Sequence, residues 1–203
     1  MKNVQVEHAQ LDRRNNLSKI KIIYQPYATH ELIKTPQGDW IDMRAYRATK
    51  IVPSAIIHDK CASNPPQLER TVKKIPLQPE KGVYEGEEVE FIRYHKGDHM
   101  LLDLGVVIQM EPNTEGYVVP RSSTMKNFGL IQTNSKSIID NSYQGKTDIW
   151  FLPVLALRDG FFIIGERVAQ FRTAENMKNV ELLKVQSTEQ SHSRGGIGSS
   201  GTK

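Results

Sequence analysis

The chain has 203 residues and a formal net charge of +4, from 27 basic and 23 acidic side chains. This length suffices for one domain with a sizeable core and is short for two. The basic residues occur singly or in pairs, whereas nucleic-acid-binding proteins usually gather them on one face, so we expect no polymeric nucleic acid as a partner.

The hydropathy pattern and the cysteine count exclude further classes. No apolar run approaches the roughly 20 residues that a membrane-spanning helix needs, and the polar start of the chain is unlike a signal peptide. The single cysteine, Cys61, excludes an intrachain disulfide and has no partner at metal-ligand spacing. We therefore expect a cytoplasmic protein with no membrane partner.

Short β-branched and aromatic runs, separated by Gly, Pro, Asn and Asp, predict a mainly β protein of the sandwich or barrel type. In chain order, the predicted strands are residues 20–24, 100–110 with a central bend, 117–119, 149–157, 161–164, 168–172 and 180–185. Pro153 predicts an edge strand or a bulge. A helical turn or two is expected at residues 123–128.

Two segments differ from this strand-rich pattern. Residues 51–98 are polar, charged and dotted with proline, and we interpret them as a hairpin or long loop that elaborates one β domain spanning residues 1–190. Beyond Val185, Gln, Ser, Thr and Gly dominate, which is typical of a flexible tail. Residues 191–203 are therefore predicted to form a flexible, glycine-rich C-terminal arm.

Four short polar or glycine-rich blocks carry the chemistry, at residues 120–123, 138–145, 165–170 and 194–201. In the first block, an arginine and two serine hydroxyls provide an anion-binding turn, or the serines form an ordinary helix N-cap. In the last block, backbone N–H groups and an arginine are suited to closing over phosphates, or the glycines form a linker. It lacks the Lys-Ser/Thr ending of a P-loop.

The block at 138–145 contains a lone carboxylate beside an aromatic ring. Asp140 follows two isoleucines, which suits a general base for water, but it is equally suited to a turn that binds its own backbone. Tyr143 is either a packing ring or a platform for a sugar. Asn134 either orients a base or caps a turn. Gln170, in the next block, belongs either to a site or to a solvated strand face.

Taken in order, these blocks resemble the five motifs of the trimeric dUTP diphosphatases (dUTPases). Residues 39–45, with Asp42, are similar to the first motif, and the four blocks, with Asn134 added to the third motif, follow in order. The resemblance covers about residues 20–48 and 98–201. It fits a phage-like or Firmicutes-like member with an insertion at residues 51–98.

The resemblance implies a fold, a reaction and a cofactor. The fold would be an all-β jelly-roll (β-clip) that forms a homotrimer with active sites at subunit interfaces. The reaction would be Mg²⁺-assisted hydrolysis of dUTP to dUMP and pyrophosphate, which keeps uracil out of DNA and supplies dUMP. Asp140 would activate the water that attacks the α-phosphorus, and Asp42 would contact the metal through water.

The resemblance also implies a set of substrate-binding residues. These are Tyr143 under the deoxyribose, Asn134, Ile138 and Ile139 at the uracil, Arg121, Ser122, Ser123 and Gln170 on the phosphate chain, and Arg194, Ile197 and Gly198 in a lid from a neighbouring subunit. The sequence departs from the family pattern at Trp40-Ile41, at Ser137 and at Ile197, where a lid phenylalanine is usual. The aliphatic side chain loses an aromatic contact of about 0.5–1.5 kcal/mol.

Two alternatives remain beside this interpretation. A dCTP deaminase shares the fold but carries a glutamate where Trp150 stands. A dUTPase-like regulator would bind a repressor protein through residues 51–98, a role that could coexist with catalysis. A phage-encoded protein would work in the host cytoplasm.

Overall fold

The computed structural model describes residues 19–34, 36, 38–58 and 67–186. Within these residues, fourteen strands and one short helix make up the regular structure. The elements are β1 (Lys21–Tyr24), β2 (Ile41–Ala45), β3 (Arg47–His58), β4 (Gln67–Pro76), β5 (Glu80–Tyr84), β6 (Glu87–Tyr94), β7 (His99–Asp103), β8 (Val106–Gln109), β9 (Thr114–Pro120), α1 (Thr124–Phe128), β10 (Leu130–Gln132), β11 (Ser137–Ile139), β12 (Phe151–Ala156), β13 (Gly160–Ile163) and β14 (Glu166–Glu175). The helical turn and every predicted strand except the last are confirmed.

The strands of the described residues pair antiparallel in four sheets. The largest has the order β10-β12-β7-β3-β4, and the next has the order β11-β9-β14-β2. The smaller sheets are β13-β6-β5 and β1-β8. In β12 every second residue is buried, the alternation expected of a strand with one face on a core. The mainly β prediction is therefore confirmed.

The core centres on Trp150, which is fully buried. Its ring meets Phe171 edge to face, with centroids 5.5 Å apart and an interplanar angle of 81°. Gly116 on β9 lies against the same indole, because a Cβ added there would stand 2.6 Å from Trp150 Cη2. Glycine at this position therefore allows β9 to approach the core closely.

The β3–β4 hairpin projects beyond its sheet. β7 pairs with β3 only from Arg47 to Lys50, whereas β4 pairs with β3 as far as His58. Past Lys50 the hairpin is therefore a two-stranded ribbon. Its base is held by an ion pair of 2.5 Å between Lys50 Nζ and the buried carboxylate of Asp98.

The last part of the 51–98 segment contributes to the core. Ile92 and Tyr94, at the end of β6, are buried, and the Tyr94 hydroxyl donates to the carbonyl of Phe128 at 2.7 Å. The division into a domain of residues 1–190 and an arm of residues 191–203 stays a prediction, because the described part of the chain ends at residue 186.

Two expectations about local structure are wrong. Residues 180–185 form no strand and Leu182 is 91% exposed, because β14 ends opposite Thr114 at the start of β9 and no strand in the described part of the chain continues beside it. β12, which contains Pro153, is an interior strand, not an edge strand. Proline is accommodated there because β10 pairs with β12 only from Val154 onward.

Candidate active site

One group of polar side chains, the sheet cluster, lies on the outer face of β2 and β14 and consists of Asp42, Arg121, Arg167 and Gln170. Gln170 is paired with Asp42 across the two strands, and the register shifts between Arg167 and Ala169. Three residues apart on a regular strand, Arg167 and Gln170 would face opposite sides. The bulge removes this alternation and brings both onto one face.

Two arginines bind the carboxylate of the sheet cluster. Asp42 Oδ1 lies 2.8 Å from Arg121 Nε, and its Oδ2 lies 3.0 Å from Arg167 Nη1. Arg44, on the same face, donates from Nη1 to the carbonyl of Gly165 at 2.6 Å. The three guanidinium groups outnumber the single carboxylate of Asp42, so the face is suited to a polyanion.

The turn of residues 121–123 is fastened to β14. The backbone N–H of Arg121 donates to the carbonyl of Val168 at 3.4 Å, and the buried Thr124 hydroxyl donates to the same carbonyl at 2.7 Å. Ser123 precedes helix α1, yet its side chain makes no capping hydrogen bond. The N-cap alternative is therefore wrong for the Ser123 hydroxyl, which is not committed to the helix.

A second group, the hairpin cluster, lies on β11 and on the loops that follow β10 and β11, and it consists of Asn134, Ile138, Ile139, Asp140 and Tyr143. Ile138 is 60% exposed, and β11 lies at the edge of its sheet. An edge strand presents backbone N–H and C=O groups that no neighbouring strand uses. This edge is therefore suited to reading the polar rim of a planar ligand.

Asp140 is an exposed turn residue that binds its own loop. Its Oδ1 accepts hydrogen bonds from the Ser142 backbone N–H at 2.8 Å and from the Ser142 hydroxyl at 2.6 Å. These bonds hold the pKa of the Asp140 carboxyl below its ordinary value. The expected apolar surroundings of Asp140 are not found among the described residues, and the turn alternative describes the geometry. Oδ2 receives no hydrogen bond from the described residues.

Tyr143 presents a ring whose position is fixed. Its hydroxyl donates to the carbonyl of Ile149 at 3.1 Å, and its side chain remains 38% exposed. Burial, followed by the charge of Asp148, raises the pKa of the Tyr143 phenol, so the hydroxyl stays protonated. The loop is also held by Asn141, whose Nδ2 donates to the carbonyl of Glu111 at 2.7 Å. The ring is a preformed platform.

The two clusters lie apart within one chain. β11 is in register with β9 at the pair Ile139 and Gly116, whereas Arg121 follows the end of β9. At about 3.3 Å per residue, the five residues from Gly116 to Arg121 span about 16 Å. The structure therefore joins Asp42, Arg121 and Gln170 but does not bring Asp140 to them.

Three expected site residues, Arg194, Ile197 and Gly198, lie outside the described residues. Sequence reasoning also missed Arg167, because the block at 165–170 pointed only to Gln170. The sequence carries no signal for it: three positions apart on a regular strand, Arg167 and Gln170 would face opposite sides, and the bulge that brings them together depends on pairing with β2.

Metal binding by protein side chains alone does not fit this site. The described residues contain no group of three or more His, Cys, Asp or Glu side chains close enough to hold an ion. Asp42 is the carboxylate beside the three arginines. Mg²⁺ commonly keeps several waters and takes one or two carboxylates plus substrate phosphates. The site therefore fits an ion that is held mainly by a bound polyphosphate.

No helix in the described residues is long and apolar enough to cross a membrane.

Comparison with known proteins identifies the family. The dUTPase family model matches residues 85–201. The SPbeta prophage-derived deoxyuridine 5'-triphosphate nucleotidohydrolase YosS of Bacillus subtilis (strain 168) is 36% identical over 185 residues, which cover 91% of this chain and 99% of that protein. The Clostridium kluyveri deoxyuridine 5'-triphosphate nucleotidohydrolase is 33% identical over 117 residues, covering 56% of this chain and 79% of that protein.

Solved structures agree on the fold. The dUTPase of Staphylococcus bacteriophage 80alpha with dUPNHPP has a TM-score of 0.58 at 13% identity, covering 91% of this chain and 99% of that one. The dUTPase from phage phi11 of S. aureus has a TM-score of 0.52 at 11% identity, covering 84% and 98%. The predicted dUTPase-like jelly-roll is confirmed. The family match begins at residue 85, so residues 85–98, which the motifs left unmatched, also belong to the family domain.

Proposed function

The chain belongs to the dUTPase family, and from that premise we propose that it hydrolyses dUTP to dUMP and pyrophosphate. This reaction removes the precursor through which uracil enters DNA and supplies dUMP. Because the substrate belongs to the pool of DNA precursors, we place the activity in the cytoplasm, which is the host cytoplasm for a phage gene.

The sheet cluster binds the triphosphate. Arg121 offers a planar fork for phosphate oxygens, the hydroxyls of Ser122 and Ser123 donate beside it, and Gln170 supplies an amide. Arg167 is added to this set because it shares the Asp42 carboxylate with Arg121. In the free protein the Asp42 carboxylate balances part of the positive charge of Arg121 and Arg167. A bound triphosphate shares that role.

The hairpin cluster binds the nucleoside. The edge of β11 at Ile138 and Ile139, together with the Asn134 amide, reads the rim of uracil. The Tyr143 ring packs under the deoxyribose and leaves no room for a 2'-hydroxyl. Because the Tyr143 hydroxyl is tied to Ile149, the platform is rigid before the nucleotide arrives.

Asp140 acts as the general base. Its free Oδ2 accepts a proton from a water molecule while the water oxygen attacks the α-phosphorus. The bond from the α-phosphorus to the oxygen that bridges it to the β-phosphorus breaks, and pyrophosphate leaves with that oxygen. Ser142 holds Oδ1, so the carboxylate presents one defined oxygen to the water.

Mg²⁺ is the cofactor that this donor set suits. Phosphate oxygens and water would supply most of its ligands, and Asp42 would contribute through a water molecule. When bound, the ion offsets phosphate charge that develops during the reaction. Arg121 and Arg167 keep the Asp42 carboxylate oriented toward the face on which the phosphates lie.

A complete site requires more than one copy of the chain. A general base must lie within hydrogen-bond reach of its proton or one water away, and the length of β9 from Gly116, opposite Ile139, to Arg121, about 16 Å, is too far for Asp140 to serve phosphates bound at Arg121. The hairpin cluster of one copy therefore meets the sheet cluster of another. The assembly is a homotrimer, as the resemblance to the trimeric dUTPases implies. Arg194, Ile197 and Gly198 of the C-terminal arm close over the substrate as a lid.

The two alternatives have less support. A deaminase base cannot stand at Trp150, since that side chain is fully buried against Phe171. A regulatory partner that binds through residues 51–98 stays a prediction, because nothing in the described residues identifies what would contact the β3–β4 ribbon.

The membership in the dUTPase family carries the proposal, and a nucleotide panel tests it. Purified protein with Mg²⁺ is expected to release pyrophosphate from dUTP and to leave dCTP and UTP largely untouched. Chelation of the metal should suppress the reaction. Equal release from all three nucleotides, or none from dUTP, would refute the proposal.

A further inference from the structure

Two side-chain amides, those of Gln132 and Asn134, are linked by a hydrogen bond, and the first of them contacts the backbone carbonyl of Val118. Gln132 Nε2 lies 3.2 Å from the carbonyl oxygen of Val118. A carbonyl accepts hydrogen bonds and cannot donate, so the Gln132 amide must turn its NH₂ group toward β9. The opposite orientation would set two oxygens against each other. Val118 therefore fixes the polarity of Gln132.

The orientation of the Gln132 amide sets the orientation of the Asn134 amide. The same Nε2 donates to Asn134 Oδ1 at 2.8 Å and lies 2.9 Å from the hydroxyl oxygen of Ser137. Asn134 Nδ2 in turn donates to that hydroxyl at 3.1 Å. Ser137 is 5% exposed and is in register with Val118, so the group is anchored in the sheet.

The outcome is an exposed Asn134 whose oxygen is already used. Its Oδ1 accepts from Gln132 Nε2 and from the Ser137 hydroxyl at 3.3 Å, while its Nδ2 has two N–H groups and a single acceptor among the described residues, Ser137. The face that Asn134 offers to a ligand is therefore a hydrogen-bond donor. A donor matches the carbonyl oxygen at C4 of uracil and repels the amino group at C4 of cytosine.

We propose that Gln132 is a positioning residue for base selectivity: it holds the Asn134 amide so that an N–H group, and not the oxygen, meets the base. This inference rests on the proposed role of Asn134 at uracil. It adds a residue outside the motif blocks, and it gives Ser137, which stands where the family usually has glycine, a place in the same network.

Two substitutions at Gln132 separate this role from general support of the loop. Gln132→Met keeps the length of the side chain but removes its donor, so the Asn134 amide is free to rotate. Gln132→Glu supplies only acceptors, which draw Asn134 Nδ2 inward and turn its oxygen outward. Thr133→Val is the matched control, because Thr133 lies in the same turn but contacts His99 and not the two linked amides.

The measurement is the ratio of kcat/KM for dUTP to that for dCTP in the full-length protein. We expect the ratio to fall by about tenfold in Gln132→Met and further in Gln132→Glu, and to stay at the wild-type value in Thr133→Val. Thermal unfolding of each variant shows whether the fold is kept. A loss that is equal for both nucleotides, or an unchanged ratio, overturns the inference.

Equilibrium binding of dUMP and dCMP tests the same point without turnover. If the wild-type protein prefers dUMP and the preference depends on Gln132, the inference stands even where dUTP hydrolysis fails. If the wild-type protein hydrolyses dUTP but the Gln132 variants keep their selectivity, the proposed function stands and the inference is wrong. No preference for dUMP in the wild-type protein also refutes it.

Discussion

The sheet cluster and the hairpin cluster are built in different ways. Asp42 and Gln170 lie on strands that pair inside a sheet, and ion pairs join Asp42 to Arg121 and Arg167. Asp140 and Tyr143 lie on a loop after an edge strand, and their hydrogen bonds are short-range contacts with their own loop. The phosphate-binding residues therefore also hold strands together, whereas Asp140 and Tyr143 are held within their own loop.

This difference indicates which substitutions should change the stability of the fold and which should change only the activity. Substitution in the sheet cluster disturbs partners on several strands, so it should change folding as well as binding. Substitution in the hairpin cluster disturbs one loop, so it should change chemistry and leave the fold intact. Loops carry function on rigid scaffolds for this reason.

The largest effect is expected for Asp140→Asn. The amide cannot take a proton from water, so kcat should fall by about 10²–10⁴-fold while nucleotide affinity and the melting temperature stay close to those of the wild type. Steady-state kinetics with dUTP and calorimetric binding of a non-hydrolysable analogue measure the two parts. A variant that keeps near-normal turnover would move the general base elsewhere.

A smaller effect on stability is expected for Asp42→Asn. The substitution leaves Arg121 and Arg167 without their shared carboxylate, and the side chains are only partly buried, so the free energy of unfolding should fall by about 1 kcal/mol. Turnover should also require more Mg²⁺. Denaturant unfolding compares this variant with Asp140→Asn, and equal stability of the two would erase the distinction between the clusters.

The smallest effect is a pH dependence in Ser142→Ala. The hydrogen bonds from Ser142, side chain first and then backbone, lower the pKa of Asp140, so the base stays ionised to a lower pH. Removing the hydroxyl raises that pKa and moves the acid limb of the kcat/KM profile to higher pH. Activity at neutral pH should change little, and Ser142→Thr should restore the wild-type profile. An unmoved acid limb would show that Ser142 does not bind the base during catalysis.

The sequence predicted most of the fold and every member of the two clusters except Arg167. Short β-branched and aromatic runs marked the strands around Phe171, and turn residues marked the turn at Asp140. It could not predict that Arg167 joins Asp42, because the β-bulge depends on pairing with β2. Nor could it show that Gln132 holds Asn134, since that contact depends on the Val118 carbonyl from a distant strand.

The prediction of a strand at residues 180–185 failed for a related reason. Its apolar residues fit a strand, but a strand also needs a partner, and β9 begins opposite the end of β14. The hydropathy pattern of a segment does not show where the neighbouring strand of a sheet ends.

Subunit complementation tests the central claim, that the sheet cluster of one copy works with the hairpin cluster of another. Arg121→Ala and Asp140→Asn are each expected to be nearly inactive alone. Unfolded together in equal amounts and refolded, they should regain up to about one quarter of the wild-type dUTP turnover, because random assembly joins intact halves in about one site of four. A mixture no more active than the two parents would show that both clusters must come from one chain.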